Sequence, residues 1–396
     1  MSQCIHLSRR GRSYARCAAL AVLVASLGLA GSARAVTITM QPLTSFGGLG
    51  TGWMPPSAFP AGPGGVTTTG TGDRIRSVAF NPISGNLLYA SGTSLYPVNA
   101  VTGVVGTELS NSGISGGSSS GSITRTLSTV GVTNDGVIYG SNLSTNSTTT
   151  SFKVYRWANQ SSTPSTHYSG NAGLAGVRVG DDLAVLGTDG SGFLAAGFGS
   201  SPSVTGNNSF TTVSTGTSGG SAAAVSYTGG AAGDFRLGIT VADSNTVIGT
   251  QGTNMRIVSF LGTSGTLDFS RSLLTTERGL LYFNAYGTPL MATQEWGTGV
   301  TTNTVRLYNA TNLLTTGSMT FLQSINLTTS TNANANAIGG IAFGEVSGTP
   351  TIYALSTNNG IQALQIVPEP TTTLAVGVCT VGLAGMMLRR RKDRDA

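Results

Sequence analysis

Few residues of this chain have the type and spacing that chemistry demands. Three stretches carry the Gly-x-Ser-x-Gly spacing of a hydrolase nucleophile elbow: Gly113 to Gly117, Gly117 to Gly121 and Gly216 to Gly220. That device needs the serine on a sharp strand-to-helix turn with a histidine in reach. These serines lie in Gly/Ser-rich loops with no helix signal behind them, and His167 is the one base candidate away from the N-terminus. With 57 glycines in 396 residues, chance spacing accounts for all three.

Carboxylates are next. Asp181-Asp182 with Asp189-Gly190, and Asn134-Asp135-Gly136, could gather hard oxygen ligands around calcium. Neither run has the ligand spacing of an EF-hand, and Asp or Asn before Gly is ordinary hairpin-turn chemistry. Turns are therefore expected. Trp157 and Trp296, with Tyr155 and Tyr286, could stack on sugars, but aromatics in a β-rich chain are expected to pack its core. His167, in a Ser/Thr-rich segment, is expected to be solvated. Six Asn-x-Ser/Thr sequons, for example at Asn142 and Asn309, are weak signals by themselves. No catalytic residues, metal site or cofactor are expected.

The elements that would position these residues are short strands. Ile75–Phe80 leads through Asn81-Pro82-Ile83-Ser84-Gly85-Asn86 to Leu87–Ala90. Leu127–Val132 turns at Thr133-Asn134-Asp135-Gly136 into Val137–Gly140, and Gly340–Phe343 leads to Thr351–Ala354. Weaker copies are Val177–Leu186 with Gly192–Ala195, Leu237–Thr240 with Thr246–Gly249, and Leu280–Phe283 with Pro289–Ala292. Further strands follow at Phe152–Trp157 and Thr304–Tyr308. The repeat interval of roughly 40 to 60 residues is blade-like. An all-β, β-propeller-like body of six or seven blades is predicted, with residues 73–366 forming it after a Gly/Pro-rich lead-in at 36–72. Asn111–Ser122 and Thr211–Ser221 read as low-complexity loops. The run Thr133 to Tyr139, followed by Tyr155-Arg156-Trp157, resembles repeats of uncharacterised exported propeller-like proteins, a likeness of fold only.

The two ends have their own grammar. Arg9, Arg10, Arg12 and Arg16 precede an apolar run from Cys17 to Ala30, and Ala33-Arg34-Ala35 supplies the small residues of a signal-peptidase site. Residues 1–35 are expected to be a signal peptide cut after Ala35. At the other end Val367-Pro368-Glu369-Pro370 precedes an apolar stretch, Thr371–Leu388, and then Arg389-Arg390-Arg391-Lys392. That stretch approaches the roughly 20 residues of a transmembrane helix. The cations behind it place residues 389–396 in the cytoplasm and the body outside. Residues 367–396 resemble the PEP-CTERM sorting signal. The resemblance implies recognition and processing by an exosortase in a Gram-negative envelope, in bacteria that make exopolysaccharide.

Location changes the meaning of charge. Of 21 cations, ten lie in the signal region or behind the membrane stretch, leaving 11 in the body against 13 carboxylates. No basic field remains for nucleic acid. Cys4, Cys17 and Cys379 all fall in the terminal segments, so the body has no disulfide or thiolate metal site. The functional expectation is an exported surface or matrix protein, associated with exopolysaccharide through a non-catalytic propeller. Signal peptidase, exosortase and, before processing, the membrane are its expected partners. The rival is an extracellular glycan hydrolase or lyase using carboxylates such as Asp181 or Glu295 at a central channel.

Overall fold

The structure is a computed structural model that describes residues 37–60, 73–120, 123–199, 208–230, 233–251, 254–274, 276–296, 303–327, 334 and 338–369. The expected signal peptide with Ala33 and Ala35, Pro370, the apolar stretch 371–388 and Arg389 to Arg391 lie outside these residues. Among the described residues no helix is long and apolar enough to cross a membrane.

Short strands follow one another up and down from the first described residues. Ile38–Pro42 (β1) and Trp53–Met54 (β2) come first. Ser77–Asn81 (β3), Asn86–Ala90 (β4) and Leu95–Asn99 (β5) form one antiparallel module. A small hairpin, Ser119–Ser120 (β6) with Ile123–Thr124 (β7), precedes the second module. That module contains Thr129–Val132 (β8), Ile138–Ser141 (β9), Phe152–Trp157 (β10) and Ser165–Gly170 (β11). Arg178–Val179 (β12) borders the third, made of Ala184–Leu186 (β13), Phe193–Gly199 (β14), Asn208–Ser214 (β15) and Ala222–Ser226 (β16). The fourth has Gly238–Asp243 (β17), Thr246–Thr250 (β18), Asn254–Leu261 (β19) and Ser264–Ser272 (β20). Glu277–Ala285 (β21), Thr288–Glu295 (β22), Thr304–Asn309 (β23) and Thr320–Asn326 (β24) make the fifth. Gly339–Val346 (β25), Thr349–Ser356 (β26) and Gly360–Pro368 (β27) make the last, and β1 joins it beside β27.

Turn chemistry sets the hairpins. The Asn81 side chain accepts the N–H groups of Ile83 and Ser84, and Gly85 takes φ +68°, so the chain reverses into β4 with Phe80 opposite Leu87. At the next module Thr133 Oγ1 accepts the N–H of Val137, closing β8 onto β9.

The second strand of each module is buried on both faces. Its successive side chains point to opposite sides of the sheet, and each side meets a different neighbour. Leu88 and Ala90 pack with Ile138 and Trp157, while Tyr139 and Val154 pack with Leu194. Ala195 and Phe210 pack with Val247; Ile248 and Ile257 pack with Met291. Leu290 and Ala292 pack with Ile352, and Tyr353 and Leu355 return to Leu87 and Tyr89. The cores therefore succeed one another cyclically, and β3, β8, β13, β17, β21 and β25 neighbour each other in turn, β25 lying against β3. This body is all-β and propeller-like. Two-sided burial is why its strands read as continuous apolar runs rather than as alternation.

Three expectations change. The 36–72 lead-in is partly integral: β1 belongs to the last sheet, β2 pairs with β27, and Phe59 packs edge-on against Tyr89. The 211–221 loop begins only after Ser214, because Thr211 and Val213 are buried in β15. His167 is not solvated. It lies on β11, 5 % exposed, with its ring edge-on to Tyr139.

Candidate functional site

The six first strands line a channel holding a cavity of about 620 Å³. They run in a common direction. Ser77 Oγ accepts the Val130 N–H between β3 and β8, Asn134 N donates to Gly187 O beyond β8 and β13, and Thr240 Oγ1 accepts the Tyr282 N–H between β17 and β21. The end where the strands finish opens between Phe80, Val132, Phe343 and Glu345. Apolar side chains such as Val78, Val185, Ile239 and Ile341 share the channel wall with polar groups, and Asp182 is the carboxylate that reaches it.

The end where the strands begin is organised by Asp181. One Asp181 oxygen accepts Arg76 Nη2 at 3.0 Å and Arg178 Nη2 at 2.7 Å. The other accepts Arg178 Nε at 2.6 Å and Arg236 Nε at 2.8 Å. Four donors fill the lone-pair directions of one carboxylate. Burial alone would raise the Asp181 pKa, but Arg178, Arg236 and Arg76 overcome it and hold the group well below the usual carboxylate range. Arg76, wholly buried, is lowered to about 9 by desolvation and by Arg125, against the pull of Asp181.

Asp182 behaves oppositely. Burial, assisted by the charge of Asp181, pushes its pKa up to about 7, although the N–H groups of Leu183 and Ile239 donate to it. Its link to Ile239 ties β13 to β17, as Ser77 ties β3 to β8. Trp296 sits at the same end, 1 % exposed, in a cluster with Leu237 and Ile338.

The other sequence candidates fall elsewhere. His167 Nε2 lies 2.7 Å from the Ser214 carbonyl, so it carries the proton and cannot serve as a base there. Among the described residues no hydrogen bond joins His167 to Ser115, Ser119 or Ser218. Asp189 is held by Arg156 and Tyr139 and receives no calcium-like cage; the Arg156 guanidinium draws its pKa down. Its N–H donates to Asp135 of the neighbouring module, and Asn134-Asp135 and Asp189-Gly190 each lie in a turn, as expected of them. Asp181 does not: it is a network centre, not a turn residue. Glu295 pairs with Arg306 at 2.6 Å. Trp157 and Tyr155 are core, as expected, whereas Tyr286 is half-exposed and donates to the Ile366 carbonyl. Among the described residues no group of three or more His, Cys, Asp or Glu side chains is disposed to hold a metal ion. Val367 and Pro368 close β27, and Glu369 N donates to Thr37 O.

Arg76 and Arg236 were missed because Asp181 draws them from distant positions that no local motif connects, while Arg178 lies only three residues before it. The available signal was coarse: each cation directly precedes or opens an apolar strand.

No family model matches the chain, and no curated protein matches it in sequence. Among solved structures, a DUF4623 family protein from Bacteroides eggerthii is similar, with a TM-score of 0.58 and 14% identity over 75% of this chain and 71% of that one. A putative TolB from Agrobacterium tumefaciens is aligned at 11% identity over 74% of this chain and 90% of that one, with a TM-score of only 0.38. The first likeness is one of fold and brings no activity with it.

Proposed function

We propose that the chain is an exported, exosortase-sorted surface or matrix protein whose body is a six-bladed propeller acting as a non-catalytic interaction domain for exopolysaccharide. The observation that carries the non-catalytic part is the state of the carboxylates. Asp181 has its acceptor positions filled by three arginines, and Glu295 is neutralised by Arg306. Glycan hydrolysis in its common form needs two free carboxyl groups facing one bond, whereas Asp182 and Glu345, the channel carboxylates without an arginine partner, lie towards opposite ends of it. The sorting part is supported by the order of Val367-Pro368-Glu369-Pro370, an apolar stretch and Arg389-Arg390-Arg391, together with Ala33 and Ala35 at the other end.

Terminal mass spectrometry of the protein from membrane, medium and exopolysaccharide fractions tests the proposal. A chain that starts at Val36, is trimmed near Pro370 and is enriched with exopolysaccharide is expected. An intact Arg389 to Ala396 tail confined to membranes would remove the exosortase step. Failure of the protein to bind extracted matrix polymer would remove the interaction role.

A further inference from the structure

Charge in the body is segregated. Six of its 11 cations, Arg74, Arg76, Arg125, Arg178, Arg236 and Arg278, stand at or just before the starts of β3, β8, β12, β17 and β21. The acids at this end are Asp73, Asp181, Asp182, Asp234, Glu277 and Glu295, of which Asp234 and Glu295 are paired with Arg256 and Arg306. Glu277 is buried and accepts from Tyr308 and Thr293, and Asp182 holds its proton up to about neutrality. The end is thus cationic, although the body as a whole carries more carboxylates than cations.

Its donors are also incompletely used. Among the described residues, the side chains of Arg74 and Arg278 make no hydrogen bond or ion pair, and the Nε of each is buried. Burial and the neighbouring Arg236 lower the pKa of Arg278, which shows a cation held at a cost. The Trp296 Nε1 and both polar atoms of the Gln294 amide are buried and unpartnered, in residues 1 % and 0 % exposed. These groups meet at Gly279, which follows Arg278, is in register with Gln294, and has so little space beside it that a Cβ would lie 2.7 Å from the Trp296 ring. Buried polar groups normally have partners. Buried polar atoms of Arg278, Trp296 and Gln294 left without a partner around Gly279, with Arg74 at the same end of the channel, describe a place prepared for an acceptor.

We infer that this end of the channel binds the carboxylate groups of an acidic polysaccharide, with Arg278 and Arg236 as the primary contacts, Trp296 Nε1 beside them and Arg74 farther round the ring. A guanidinium matches a carboxylate as a planar fork, and cations spread over successive modules suit repeated charges on a polymer. The inference rests on the matrix-binding reading for its class of ligand.

The test is titration of the full-length detergent-solubilised protein with polygalacturonate, with neutral dextran of similar length and with galacturonic acid monomer. Polygalacturonate should bind and dextran should not, with affinity falling as salt rises. Arg278→Gln and Arg74→Gln should each weaken binding about tenfold or more, as expected for loss of a charged hydrogen bond. Neither should lower the thermal midpoint, because neither side chain has a partner to lose, whereas Lys153→Gln in the second module should bind as the parent does. Binding of the monomer with the same Arg278 dependence would keep the site and assign it to a small acid. Absence of polygalacturonate binding, equal binding of dextran, or parental affinity in both arginine variants would overturn the inference. Equal dextran binding would still leave the matrix-binding reading standing. Polygalacturonate binding without capture of extracted matrix polymer would do the reverse.

Discussion

Adjacent aspartates here have opposite titrations, and the cause is which neighbours each one faces. Asp181 points into three guanidiniums, while Asp182 points at the channel wall and two backbone N–H groups. The depressed group contributes stability above its unfolded pKa, near 3.9, and that contribution is lost only as pH falls below this value. The raised group has the opposite sign. Its contribution is fullest below about pH 4 and is lost as pH rises to about 7, its folded value. Unfolding free energy should therefore fall between about pH 4 and pH 7 by at most about 1.4 kcal/mol per unit from this group. Denaturant titrations of Asp182→Asn across that window should lack this component; an unchanged slope would mean that another group carries it. Asp181→Asn should cost about 3–5 kcal/mol at pH 7, because it strands buried arginines.

Glycines on the first strands show how closely the modules approach one another. A Cβ at Gly344 of β25 would lie 2.4 Å from the ring of Phe80 on β3, so the two strands are spaced for a hydrogen on one side and an aromatic ring on the other. Gly344→Ala should destabilise by about 1–3 kcal/mol through overpacking. Phe80→Ala, which opens that space, should relieve most of the added penalty in the double variant, as a thermodynamic cycle of the four proteins would reveal. Such positions were only half legible in the sequence. Strands such as Leu87–Ala90 and Val137–Gly140 announced themselves as apolar runs between Asn/Gly turns, and the repeat of that pair marked the modules. What escaped was whatever depends on partners distant in sequence. His167 looked like a loop residue because its burial comes from Tyr139 and Ser214. Asp181 looked like a turn because Arg76 and Arg236 reach it from other modules, with only Arg178 close by in sequence. The candidate site is made almost wholly of such contacts, so local patterning could find the walls of the channel but not its charged end.

At the scale of the body, the last sheet is assembled from both ends of the folded region, with β1 placed beside β27. The sheet that closes onto β3 thus takes its outer edge from a five-residue strand whose neighbours in sequence lie outside the repeating pattern. Ile38 and Met40 of that strand are 2% and 3% exposed, in the core that also holds Leu307, Ile352 and Leu364. Ring closure makes every module a neighbour of two others, so opening any one interface weakens both modules that share it. Removing the side chains that hold β1 should consequently act beyond the last sheet. Each of Ile38→Ala and Met40→Ala should cost about 2–5 kcal/mol as a core truncation. The two together should also expose amides of β27 and of β3, because β25 lies against β3 in the closed ring. Hydrogen exchange resolved by peptide would distinguish this from local fraying. Faster exchange at Ser77–Asn81 as well as at Gly360–Val367 is the signature of an opening ring, and a change confined to β27 would show that the modules hold their positions without the closure.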